Sequence, residues 1–80
     1  MKKELTVVLN QIQTAKEFVA AASASICDVD VGSGKYIVDG KSLLGIFSMD
    51  LSKPVKVVVN GGSEADVDAL VAKFKDICEA

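Results

Sequence analysis

The sequence contains no histidine, no arginine and no tryptophan, and all nine of its cations are lysine. Each absence removes a class of chemistry. Without histidine there is no default general base at neutral pH, no imidazole metal ligand and no ring nitrogen to hold a phosphoryl group. Without arginine there is no planar, bidentate clamp for phosphate or carboxylate. Most small-enzyme mechanisms fall with those two residues, and the chain does not read as an enzyme. A formal charge of −2 gives no basic face for nucleic acid. No apolar run approaches the roughly 20 residues of a membrane span. Met1-Lys2-Lys3-Glu4 leads directly into Leu5-Thr6-Val7-Val8-Leu9, a run too short and wrongly flanked for a signal peptide, so the expected location is cytoplasmic.

The two cysteines, Cys27 and Cys78, match neither a metal-site spacing nor a Cys-x-x-Cys redox motif. A disulfide between them is allowed on paper. The simpler reading is two buried thiols in a reducing compartment, where free cysteine behaves as a small hydrophobe. No metal and no cofactor are expected.

What the chain does have is 80 residues, half of them apolar and a quarter charged. That is one small domain, residues 1–80, able to bury only about 60% of its unfolded surface. Glu4 to Leu9 is rich in β-branched residues and reads as a strand. Thr14 with Glu17 three residues on reads as a capping box opening an alanine-rich helix to about Ser25. Its apolar stripe would be Ala15, Phe18, Val19, Ala22 and Ile26. Cys27 to Val31 alternates apolar and acidic, a half-buried strand. A turn at Gly32-Ser33-Gly34 and a second strand at Lys35 to Val38 complete a hairpin. Lys41 to Met49 reads as a short helix with Ser42 near its first position, Ile46 and Phe47 turned to the core, and Leu44 exposed. Val55 to Val59 is a strand ended by Asn60-Gly61-Gly62. Ser63 and Asp66 cap an amphipathic helix over about 63–78, with Val67, Leu70, Val71, Phe74, Ile77 and Cys78 on one face. The order βαββαβα, with two long helices on one sheet face and the acidic alternation of Asp28 and Asp30 on the other, gives an α+β layered domain.

The element order, the length and the segment Asp39-Gly40-Lys41-Ser42-Leu43-Leu44-Gly45-Ile46-Phe47-Ser48-Met49 resemble HPr, the small phosphocarrier of the bacterial sugar phosphotransferase system. The resemblance runs from about Leu5 to Cys78. It implies an open-faced β-sandwich: a four-stranded antiparallel sheet with three helices on one face. Counting back without gaps from Ser42 and Asp28-Val29, the family's phosphoacceptor His falls at Gln11, its Arg at Gln13 and its Pro at Thr14, while its Ala matches Ala15. A Gln carboxamide forms no transferable phosphoramidate, and Gln13 supplies no guanidinium to a phosphoryl transition state.

The family's regulatory serine matches Ser42. The resemblance implies phosphorylation there by an ATP-dependent HPr kinase/phosphorylase, with Leu43, Leu44 and Phe47 as an apolar docking patch for that enzyme, a transcription regulator or phosphotransferase-system components. A regulatory branch of the family with Gln at the active position matches Gln11, whereas Gln13, Thr14 and Asp50 depart from it. Beside that reading stand plainer ones. Ser42 serves as an N-cap only, Gln11 and Gln13 are solvated loop residues, and Asp28 and Asp30 line a wet sheet face. Gly32 and Gly34 lack the following helix that a phosphate loop needs. The alternative function is a constitutive accessory binding module of the same fold, and either form would be a monomer or weak dimer.

Overall fold

The computed structural model describes residues 2–79. Alternating valines build its sheet. Strand β1 (Lys2–Val7) is followed by helix α1 (Ile12–Ser23), strands β2 (Asp28–Ser33) and β3 (Tyr36–Asp39), helix α2 (Leu43–Phe47), strand β4 (Val55–Asn60) and helix α3 (Glu64–Glu79). The strands lie in the order β1-β4-β2-β3, every neighbouring pair antiparallel. One register row carries Leu5, Val57, Val31 and Val38 across all four strands. Because strand side chains alternate between faces, the adjacent row, Glu4, Val58, Asp30 and Asp39, points the other way. The first row faces the helices and the second faces water, as an antiparallel sheet covered on one side requires. The architecture is the expected open-faced α+β sandwich of order βαββαβα.

The core lies between that valine face and the two long helices. Phe18 of α1 and Phe74 of α3 are fully buried and stacked, with ring centroids 4.2 Å apart and planes 22° from parallel. Ala15, Ala21 and Ala22 are also buried, and their small side chains let α1 lie close to its neighbours. α3 opens on the expected box: Asp66 N–H donates to Ser63 Oγ at 3.2 Å, and Ser63 N–H donates back to Asp66 Oδ2 at 3.0 Å. The Ser63 amide and hydroxyl hold the Asp66 carboxyl below the usual carboxylate range. Lys3 Nζ pairs with Asp68 and links β1 to α3. Both side chains are close to half exposed, so this pair contributes little to stability. After β3 the chain must turn tightly against β2. There a Cβ at Gly40 would come within 2.4 Å of Val29 Cγ1, and only glycine fits.

Several elements depart from the sequence expectation. β1 begins and ends two residues early, at Lys2 and Val7 instead of Glu4 and Leu9, because an edge strand tolerates lysines that mask its alternation. α1 begins at Ile12, not Thr14, so Thr14 sits inside the helix and no Thr14–Glu17 box forms. Gln11 is the N-cap, without a side-chain hydrogen bond. Since the helix ends at Ser23, Ile26 falls in the following turn and is 75% exposed instead of joining the stripe. β2 runs to Ser33, which moves the turn to Gly34-Lys35, and β3 starts at Tyr36. Phe47, expected in the core, is exposed at 40%. Cys27 is fully buried, its thiol 3.4 Å from the Gly61 carbonyl oxygen, whereas Cys78 is only half-buried.

The stacked pair predicts a sharp contrast in stability. Phe74→Ala should cost about 3–5 kcal/mol, the usual penalty for emptying a core aromatic site. Leu44→Ala, at a side chain 85% exposed, should change stability by no more than about 0.5 kcal/mol. Urea unfolding followed by circular dichroism measures both.

Candidate functional site

Ser42 is the N-cap of α2, with extended backbone angles (φ −106°, ψ 107°). Three hydrogen bonds hold it. Its Oγ accepts from Gly45 N–H at 3.1 Å, its own N–H donates to the Asp39 carbonyl at 3.0 Å, and its carbonyl accepts from Ile46 N–H at 3.0 Å. The turn before it is fixed by Asp39, whose Oδ1 accepts the Lys41 N–H at 2.9 Å. Lys41 Nζ then donates to the Ser25 carbonyl at 3.4 Å and ties this turn to the one that follows α1. The sequence Asp-Gly-Lys-Ser therefore encodes a compact turn that delivers a hydroxyl to the start of a helix.

α2 has five residues and buries only Ile46 completely. It is held against β3 at Gly45, where an added Cβ would lie 3.2 Å from Ser42 Oγ and 3.3 Å from Val38 Cβ. The missing side chain thus permits close packing on Val38 and leaves the space beside the hydroxyl open. The helix closes through Ser48, whose Oγ donates to the Gly45 carbonyl at 2.6 Å. Just beyond, Ser52 donates its amide and hydroxyl to Asp50 Oδ1, and these bonds hold the Asp50 carboxyl below its ordinary range. Asp50, which departs from the HPr pattern, makes a turn of its own here.

The docking residues named from the sequence divide by depth. Leu43 and Ser42 are half-buried, Leu44 stands in solvent, and Phe47 keeps 40% of its surface exposed. A one-and-a-half-turn helix that seats Ile46 inward turns Leu44 outward. Gln11 and Gln13 are both exposed. Gln11 contributes its carbonyl to Ala15 N–H at 3.0 Å, and Gln13 Nε2 lies 3.4 Å from Glu17 Oε1 within α1. Ile12 beside them is 67% exposed. An isoleucine between two glutamines is the sequence signal for an exposed apolar residue at this helix start. Neither α1 nor α2 has an acidic residue in its first turn. Among the described residues, no group of three His, Cys, Asp or Glu side chains is arranged to hold a metal ion. No helix of the described residues is long and apolar enough to cross a membrane.

The chemistry this arrangement allows is narrow. A hydroxyl held at a helix start by a backbone N–H, with a lysine next to it in sequence and an exposed leucine two residues on, can carry a modification or contact a partner. No base lies within hydrogen-bond distance of it among the described residues. As a cap, Ser42 has a definite structural value: Ser42→Ala should cost about 1 kcal/mol and loosen the amide of Gly45. Hydrogen exchange at that amide, compared with the unfolding midpoint, checks both effects.

No protein-family model and no curated protein sequence matches the chain. Solved structures are similar to it over nearly its whole length, two HPr proteins among them. HPr-C-His from Thermoanaerobacter tengcongensis superposes with a TM-score of 0.80 at 26% sequence identity, covering 96% of this chain and 91% of that one. The phosphocarrier protein HPr from Bacillus anthracis str. Ames superposes with a TM-score of 0.67 at 26% identity, covering 91% of this chain and 94% of that one. With the same element order, the same sheet and full-length correspondence, the fold of this chain is HPr-like.

Proposed function

We propose that this chain is a regulatory or protein-interaction module of the phosphotransferase-system type that works through Ser42 and does not carry phosphoryl groups on histidine. The single observation behind the reading is the juxtaposition at α2: a hydroxyl at the cap position and, two residues on, a leucine side chain 85% exposed. A partner that covers this leucine gains apolar burial, and apolar anchors seated in a partner's pocket carry much of the energy of protein contacts. The residues are Ser42 for phosphorylation and Leu43, Leu44 and Phe47 for docking. Gln11 and Gln13 stand where the resemblance would place the phosphoacceptor His and its Arg, and the chain contains neither residue type anywhere. The partners are proteins: a kinase/phosphorylase of the HPr type, a transcription regulator or phosphotransferase components. The chain itself is not an enzyme, and its setting is the bacterial cytoplasm.

The hydroxyl geometry supports modification without loss of the helix. A phosphate ester on Oγ keeps an oxygen acceptor for the Gly45 N–H, and its added charge stands one residue from the Lys41 ammonium. A second reading, a constitutive accessory binding module, draws on the same bond. Ser42 is already half-buried and occupied as a cap, which is a sufficient reason for serine at this position.

Incubation of the purified chain with ATP and a serine-specific HPr kinase separates the two. The regulatory reading predicts one added phosphate by intact mass, mapped to Ser42 and absent from Ser42→Ala. No uptake under conditions in which an authentic HPr is modified would leave the accessory reading.

A further inference from the structure

The sheet has two edges, and they are finished differently. β1 carries Lys2, Lys3 and Glu4 and packs against α3, to which Lys3 is tied by Asp68, the usual way of blocking an edge from further pairing. β3 has no charged residue among Tyr36, Ile37 and Val38. Tyr36 and Ile37 are each 74% exposed there. Gly40 N–H donates to the Val29 carbonyl at 2.7 Å, which sets the backbone phase of the hairpin. Main-chain groups of alternate residues turn toward the neighbouring strand, so Tyr36 and Val38 pair with β2, while Ile37 and Asp39 direct their amides outward.

The solvent face beside this edge is electrostatically incomplete. Asp39 stands directly opposite Asp30 in the β2–β3 register, an arrangement of like charges that destabilises a strand pair. The only ion pair among the described residues is Lys3–Asp68, so neither carboxylate has a cationic partner. Ile37 lies on the same face, opposite Gly32, where an added Cβ would touch its Cγ1 at 3.9 Å. Lys35 immediately precedes the strand and Asp39 ends it. Read outward from Ile37, the segment Lys35-Tyr36-Ile37-Val38-Asp39 is therefore complementary to itself in antiparallel orientation.

We infer that β3 is an edge on which a second copy of this chain docks, the two strands pairing about a two-fold axis at Ile37 and joining two four-stranded sheets into one. In that register Ile37 meets Ile37 of the second copy, with their outward amides and carbonyls exchanging hydrogen bonds. Tyr36 stands beside Val38 of the second copy. Lys35 of each chain reaches Asp39 of the other, placing an ammonium next to two carboxylates that have no cationic partner among the described residues. Two-fold symmetry makes each contact occur twice, as an isologous interface must. One short strand buries less than the roughly 1,200 Å² of a firm complex, so the dimer is weak and fills at high protein concentration.

The test is a dilution series of the full chain from about 50 μM to about 2 mM, the range over which such small interfaces dissociate, followed by NMR diffusion and amide shifts. Diffusion should slow with concentration, and the Ile37 and Asp39 amides should move most. Lys35→Glu alone and Asp39→Lys alone should each weaken association by about tenfold or more, since like charges then face each other. An equimolar mixture of the two should recover it, because each new charge meets its opposite. Concentration-independent diffusion of the unaltered chain, or single variants that associate as it does, would overturn the assignment. Asp39 also holds the Lys41 amide, so should Asp39→Lys not fold, Lys35→Glu and Ile37→Lys decide the matter. Both must then remain monomeric over the same range for the inference to stand.

Discussion

The contact on which the rest depends is the stacked pair of Phe18 and Phe74. Each ring comes from one of the two long helices, and together they fill the space above the valine rows of β4 and β2. An 80-residue chain has room for a single core, and this pair is its largest component. Alanines at 15, 21 and 22 let α1 settle at the distance the rings require. With both helices fixed over the sheet, the remaining segments are set by short connections. α2 is the clearest case. A five-residue helix does not persist by itself, and it exists here because Ile46 is inserted into the core, Gly45 allows contact with Val38, and Ser42 caps its start. The candidate site is thus a surface product of the core, and a change that loosens the rings would also loosen the hydroxyl.

Most of the fold was legible in the sequence because local signals and burial agree. The alternation of Cys27 to Val31, the run at Val55, and the Ser63–Asp66 box before a clear helical stripe each reappear as elements within a residue or two. The departures lie at element ends and have separate causes. At Thr14 a good capping pattern goes unused, because the helix already begins at Ile12 and the Ala15 N–H bonds to the Gln11 carbonyl. Ile26 fitted the helical period but lies beyond the last turn. At β1, lysines that belong to an edge strand hid its start.

The site was partly legible in the same way. Asp39-Gly40-Lys41-Ser42 is a turn-and-cap signature readable without coordinates, and the structure places Ser42 at the cap and Leu44 in solvent. Phe47 was assigned to the core because it shares a helical face with Leu43. One and a half turns bury one large side chain completely, and Ile46 takes that place. The function of Gly45 depends on the distance between α2 and β3, which no local pattern reports. The exposed edge at Tyr36 and Ile37 was equally hidden, since which strand lies at an edge is a property of the strand order.

The central claim is that Leu44 serves contact with a partner while Ser42 presents the hydroxyl, both on a scaffold that neither stabilises greatly. The most direct measurement is the rate at which an HPr-type serine kinase modifies Leu44→Ala, set beside the unfolding midpoint of that protein. The account predicts a clear loss of phosphorylation rate with the midpoint essentially unchanged. A rate equal to that of the unaltered chain, or a loss that merely follows a fall in stability, would contradict it.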